Sequence, residues 1–303
     1  MPVQSIGNKK SMYRGYQMIG YAFLLPAIVA FATFMAYPLG RTVYLSFTNW
    51  TGFGDAKMIG MANYVKALSD KTLLKALTNT SYLAIFSSIG SVVVGVIMAW
   101  LNMFLTRFVG QITRTIMFIP NMISPTITGL MFLFIFTEDV GLVNYLLRLV
   151  GLGNLATAWL SNMNTVLPVI VIVTIWRQAG LTMVLCYAGL QGVSSSLIES
   201  AKLDGAGDIR VFTRILLPLI KPQLQLSAMF TLLGGLKIYD SVVSLTGGGP
   251  ARQSIVMPMW IMENAFTYSR FGYASAMAVI FVGVVFVFMI ILRLIFRGET
   301  YEQ

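Results

Sequence analysis

Ser196 to Pro222, S-L-I-E-S-A-K-L-D-G-A-G-D-I-R-V-F-T-R-I-L-L-P-L-I-K-P, is a hydrophilic interruption between two long apolar runs, and its reading decides the fold. Ser196, followed three residues later by Glu199, fits a capping box, in which hydroxyl and carboxylate satisfy amides left orphaned at a helix start. The spacing predicts a short helix through Ala201 and Lys202 to Asp204, stopped by Gly205, the residue best suited to a left-handed terminus. Asp208 is placed to cap a second helix. A helix, a small-residue corner and another helix make a compact knob. Between two membrane-crossing segments, such a knob lies in water and suits docking.

Working outward, the 303 residues are 57% hydrophobic and only 11% charged, far from the balance of soluble domains. The chain reads as an all-α integral membrane protein. It has one cysteine, Cys186, so no intrachain disulfide can form. It has no histidine, the commonest general base and metal ligand. No G-x-x-x-x-G-K-[ST] pattern is present to bind nucleotide. No carboxylate pair, activated nucleophile or metal cluster stands at usable spacing, which argues against an enzyme. The net charge of +10 is scattered over loops and helix ends, so anionic lipid headgroups account for it better than nucleic acid.

Six apolar runs are long enough to cross a bilayer, which takes about 20 residues. Their expected bounds are 16–47, 80–105, 115–137, 166–190, 215–240 and 273–296. Short external helices are expected over 63–77, around 142–150 and within 251–271. In the second span Ala84, Ser88, Ser91, Gly95 and Ala99 line one seam, as close helix packing in lipid requires. Pro120 and Pro125 interrupt the third, and Pro218 and Pro222 open the fifth. Lys9, Lys10 and Arg14 precede the first run, and Arg107 and Arg114 are read as a loop on the same side. Both termini and the knob are therefore expected in the cytoplasm. The expected organisation is a cytoplasmic segment 1–15, a six-span domain 16–297 and a cytoplasmic tail 298–303.

The opening stretch closely resembles the EAA loop of ABC importer permeases. Glu199, Ala201, Asp204, Gly205, Ala206, Gly207, Phe212, Ile215, Leu217, Pro218 and Pro222 match its pattern, and Ser200 stands where the family has its first alanine. Further stretches resemble the carbohydrate, maltose-type branch: W-T-G-F (50–53), I-G-M-A-N-Y (59–64), A-G-L-Q (188–191), L-T-G-G-G-P (245–250) and G-Y-A-S-A (272–276). The resemblance implies the type I importer permease fold, with 196–222 as a coupling loop seated in a separate ATPase subunit. Glu199, Ala201, Asp204, Gly205, Ala206 and Gly207 are the coupling residues it implies.

It further implies a second, distinct permease subunit, two ATP-binding subunits and an extracytoplasmic solute-binding protein, with ATP and magnesium held by the ATPase subunits and no cofactor on this chain. The setting is a bacterial or archaeal cytoplasmic membrane. The substrate implied is a sugar or oligosaccharide.

Polar residues inside spans are costly and mark cavities. Arg177, Gln178, Lys237 and Asp240 stand out, with Trp176 and Tyr239 as aromatic faces for a sugar ring and Thr174 and Thr231 nearby. By the resemblance, Thr174, Arg177, Gln178, Thr231, Gly234, Gly235 and Tyr239 fall where the maltose-type permease contacts sugar. Structural roles compete: Trp176 and Tyr239 as packing aromatics, and Arg177 or Lys237 as a partner for Asp240. Two cations against one Asp240 hint at an acidic saccharide. Two other functions remain open. One is a permease for a phosphorylated polyol or other non-sugar solute, and the other is an ion-driven transporter using Asp240.

Overall fold

A computed structural model of the chain describes Tyr21 and residues 23–297. The expected segment 1–15 with its basic residues, the first residues of the expected six-span domain, and the tail 298–303 lie outside the described residues. In chain order the helices are α1 (Phe23–Ser46), α2 (Ala62–Ser69), α3 (Lys71–Asn102), α4 (Arg107–Met122), α5 (Pro125–Ile135), α6 (Leu142–Leu149), α7 (Val166–Gln191), α8 (Ser195–Leu203), α9 (Asp208–Leu219), α10 (Lys221–Leu236), α11 (Asp240–Thr246), α12 (Met257–Met262) and α13 (Phe271–Ile295). Helices α1, α3, α7 and α13 are each long and apolar enough to cross a bilayer. The pairs α4–α5 and α9–α10 qualify only together, bent by 98° and 73°. Counting each bent pair as one crossing gives the six expected spans.

Several expected boundaries move, each for a local reason. The external helix predicted over 63–77 is two helices, because the Asp70 carboxylate accepts from the amides of Thr72 and Leu73 and caps α3 there. Arg107 and Arg114, read as loop residues, lie within α4. The third span turns between Met122 and Pro125 because the residue before a proline is pushed out of the helical region, and Ser124 has φ −52° and ψ 136°. In the fifth span Pro222 sits in the first turn of α10, its ring crowding the carbonyl four residues back, so the chain bends at Ile220. That span ends at Leu236, after Gly234 and Gly235, which cost a helix about 1 kcal/mol each. Tyr239 leaves helical geometry at φ −140°, and Asp240 starts a separate helix.

The chain divides into two packed units. One comprises the residues up to Lys66 together with Asn264–Val279. In it the Asn63 amide donates to the carbonyls of Ser46 and Thr48, and the Trp50 and Phe271 rings stand 5.3 Å apart. The Gly272 amide donates to the Trp50 carbonyl at 2.9 Å. The motifs around W-T-G-F, I-G-M-A-N-Y and G-Y-A-S-A are thus brought together, Asn63 acting through its side chain and Gly272 through its backbone.

The other unit, Ala67–Glu263 with the residues from Ile280 onward, carries the candidate sites. Its frame is α3 packed against α7 and α10. Ala84, Ser88, Ser91, Gly95 and Ala99 are all buried, as the expected seam requires. A Cβ on Gly95 would stand 2.6 Å from Thr182 Cβ and 2.7 Å from the Ala179 carbonyl oxygen. One on Gly235 would stand 2.6 Å from Ala84 Cα. Above this seam Leu83, Ile170, Val173, Val242 and Val256 form one apolar cluster, and below it Val96, Met183, Leu190, Phe212 and Leu216 form another. The start of the loop after α11 is pinned to α3: the Asn79 amide donates to the carbonyls of Gln253 and Ile255, and the Met257 amide donates to Thr80 Oγ1.

Gly95→Val is expected to force α3 from α7 at a cost of about 1–3 kcal/mol. Thermal unfolding of the detergent-solubilised chain checks this: the midpoint falls for Gly95→Val and stays unchanged for Gly283→Val, whose Cβ meets nothing within 4 Å.

Candidate functional site

The knob forms, with altered details at its start. Helix α8 begins at Ser195 with Ser194 as its N-cap residue, and no side chain caps it. The expected capping box is absent because the Ser194 and Ser196 hydroxyls hydrogen-bond each other at 2.7 Å. The end behaves as read from sequence. Gly205 has φ +82°, its amide donates to the Lys202 carbonyl, and the Ala206 amide donates to the Ala201 carbonyl at 2.9 Å. These bonds make a Schellman stop. Asp208 is the first residue of α9, not its cap, and its carboxylate pairs with Lys202 Nζ at 2.8 Å.

The knob has two faces. Ile198, Ala201 and Ala206 pack inward on the lower apolar cluster, where the Phe212 ring stacks on Trp100 at 4.7 Å. Glu199, Asp204, Gly205 and Gly207 are exposed, and no atom lies within 4 Å of a Cβ built on either glycine. Leu203 is 88% exposed and Ile209 70% exposed, although apolar. Neither was singled out from the sequence. Their signal was available as apolar residues within a hydrophilic interruption. A shallow depression beside them is lined by Gly205, Gly207, Asp208, Ile209 and Arg210.

The residues considered for a substrate divide by environment. Thr174 is buried and its hydroxyl donates to the Ile170 carbonyl at 2.7 Å. Thr231 is buried, with Oγ1 2.8 Å from Ser88 Oγ, a partner that the sequence showed only as a small seam residue. Gly235 lies against Ala84. Gln178 is buried where α7 meets α10, so that a Cβ on Gly234 would touch its Nε2 at 2.8 Å, and its Oε1 has no partner among the described residues. Trp176, Lys237 and Asp240 are exposed, and Arg177 and Tyr239 are partly so. The Trp176 ring meets Phe132 edge-on at 5.1 Å. Among the described residues no N···O contact within 4 Å joins Asp240 to Arg177. Trp176, Arg177 and the buried Gln178 are successive residues of α7, and Lys237, Tyr239 and Asp240 lie at the break between α10 and α11. Among the described residues no group of three or more His, Cys, Asp or Glu could hold a metal ion.

Gly205 and Gly207 have the same open space but different backbones, φ +82° against −73°. Gly205→Val should therefore cost about 1–2 kcal/mol at the stop, through its left-handed conformation. Hydrogen exchange measures it: the amides of residues 205 and 206 lose about tenfold protection, whereas Gly207→Val leaves them as they were.

Comparison with known proteins bears on what these parts belong to. The family model described as binding-protein-dependent transport system inner membrane component matches residues 91–300. A probable ABC transporter permease protein, YurN of Bacillus subtilis, is 36% identical over 266 residues, covering 87% of this chain and 91% of that protein. The sulfoquinovosyl glycerol transport system permease protein SmoG of Agrobacterium fabrum is 30% identical over 268 residues, covering 88% and 86%. The fold matches a chain of a bacterial alginate ABC transporter, solved with an alginate pentasaccharide-bound periplasmic protein, at TM-score 0.81 and 23% identity over 96% of this chain and 98% of that one. With helices enough for six crossings and a family match over most of its length, the chain belongs to the binding-protein-dependent transport system inner membrane components, the non-catalytic permease subunits of ABC importers.

Proposed function

We propose that this permease passes a sugar or oligosaccharide, delivered by an extracytoplasmic binding protein, across the cytoplasmic membrane by alternating access driven by separate ATPase subunits. The observation that carries the reading is the two-faced knob. Leu203 and Ile209 face outward beside two glycines, while Ile198, Ala201 and Ala206 tie the same knob into the α3–α7–α9 core. A partner gripping the outer face moves the spans, because the inner face leaves no slack. The knob and both termini are cytoplasmic in this reading, with 1–15 and 298–303 as short tails. ATP and magnesium belong to the two ATPase subunits, and a distinct second permease completes the channel. Glu199, Ala201, Asp204, Gly205, Ala206 and Gly207 shape the coupling surface.

The paired substitution Leu203→Asp with Ile209→Asp tests it without touching the chain's own core. The expected result is normal membrane insertion, no ATPase subunit retained on purification, and no uptake. Retention and uptake at the parental level would remove the knob from the coupling role.

For the cargo, Trp176 and Tyr239 offer faces for a sugar ring, and Arg177, Lys237 and Asp240 offer charge. Gln178 presents an oxygen with no partner among the described residues. Thr174, Thr231 and Gly235 hold the helices that carry these groups. An acidic saccharide is the second reading, favoured by Arg177 and Lys237 against the single Asp240. The likeness to SmoG, of a sulfoquinovosyl glycerol transport system, and to a transporter that imports the acidic polysaccharide alginate supports it. If it holds, Lys237→Gln lowers uptake of an oligouronate by about tenfold, the worth of one charge-assisted contact, and leaves a neutral oligosaccharide untouched. Equal effects on both would return the cargo to neutral sugars.

A further inference from the structure

A polar cavity of about 560 Å³ opens between the α3–α4 connection, the first turns of α4 and the end of α7. Thr106, Arg107, Gln111, Arg114, Tyr187 and Gln191 line it. Arg114 is fixed there: its Nη1 donates to Asn102 Oδ1 at 2.7 Å, and its guanidinium lies 4.3 Å from the centroid of the Tyr187 ring. Asn102 is itself buried and held, donating Nδ2 to the Gly110 carbonyl at 3.2 Å. The Arg107 guanidinium makes no hydrogen bond or ion pair among the described residues. No carboxylate lies within 4 Å of either guanidinium among the described residues. The coupling and cargo residues do not line this cavity.

The other flank of α4 carries an apolar groove of about 320 Å³, lined by Phe108, Ile112, Thr115 and Ile116. Gln111 borders both the groove and the cavity. Cationic cavity and hydrocarbon groove therefore run side by side along one helix, at the end of a span where headgroups meet acyl chains. The Trp100 ring, near the end of α3, is of the type that occupies that level. A soluble anion would use only the cavity. An anionic amphiphile uses both.

We propose that this is a binding site for an anionic phospholipid, its phosphate between Arg107 and Arg114 and an acyl chain along Phe108, Ile112 and Ile116. Guanidinium groups suit the task because their forked donors match phosphate oxygens and stay charged. Basic pockets between membrane helices capture such headgroups in this way. Gln191 is the last residue of α7, and three residues separate it from α8, so the lipid joins α4 to α7 near the root of the knob. Assigning it to the inner leaflet rests on the coupling reading; its headgroup chemistry does not.

The test uses the full chain purified in mild detergent, without ATPase subunits, and native mass spectrometry with phosphatidylglycerol or phosphatidylcholine added. The parent should retain phosphatidylglycerol about tenfold better than phosphatidylcholine. Arg107→Gln, at a side chain with no described partner, should lose most of that preference, and the double variant with Arg114→Gln should abolish it, with phosphatidylcholine retention unchanged in both. Glycerol phosphate at the same concentration should not displace the lipid. The site is overturned if Arg107→Gln keeps the parental preference, or if the parent shows none. Full displacement by glycerol phosphate overturns the lipid in favour of a soluble phosphate. Since no ATPase is present, failure here leaves the coupling role of the knob intact.

Discussion

Close backbone approach between α3 and its neighbours α7 and α10 is the constraint on which the larger unit depends. In lipid, apolar side chains gain little by leaving one greasy surface for another, so helices associate through packing and hydrogen bonds at small residues. Gly95 against Ala179 and Thr182, and Gly235 against Ala84, allow that approach. Gly180 completes it on the far side, where a Cβ would collide with the Met117 carbonyl oxygen. The same intimacy permits Ser88 and Thr231 to hydrogen-bond across the seam, closing a polar pair that would be costly alone in hydrocarbon.

From that seam the architecture runs in two directions. Toward the knob, Leu190, Phe212 and Leu216 join α7 and α9 to α3, with Trp100 stacked on Phe212, so α8 cannot shift without its root. Away from it, Ile170, Val173 and Val242 carry α7 to α11, the short helix that Asp240 begins. The bends at Ser124 and Ile220 belong to the same design. Each interrupts a span where a proline has removed a backbone donor, and Gly129 of α5 presses so near Ser244 of α11 that no side chain fits between them.

Much of this was legible in the residues. Apolar length marked the crossings, and the small side chains of α3 marked their own buried seam, because a 3.6-residue period is independent of what lies across it. The stop at Gly205 was equally local. What failed depended on competition. Ser196 had the spacing for a capping box, but Ser194 offered its hydroxyl a nearer partner. The short helices α2 and α11 were hidden inside longer expected elements: Asp70 caps α3 with its own carboxylate, and Tyr239 leaves helical geometry shortly after Gly234 and Gly235. The division of Thr174 and Thr231 from Trp176 and Lys237 was invisible for a related reason: burial depends on which helix lies opposite, and polarity alone does not encode it.

The central claim is that this chain is the passage and that its drive is docked from outside through the knob. Uptake of radiolabelled oligosaccharide into sealed proteoliposomes tests it most directly, comparing this chain alone, under an imposed ion gradient, with the assembled transporter containing both permeases, the ATPase subunits, the binding protein and ATP. The account predicts accumulation only in the assembled, ATP-supplied vesicles. Accumulation driven by an ion gradient through this chain alone would contradict it.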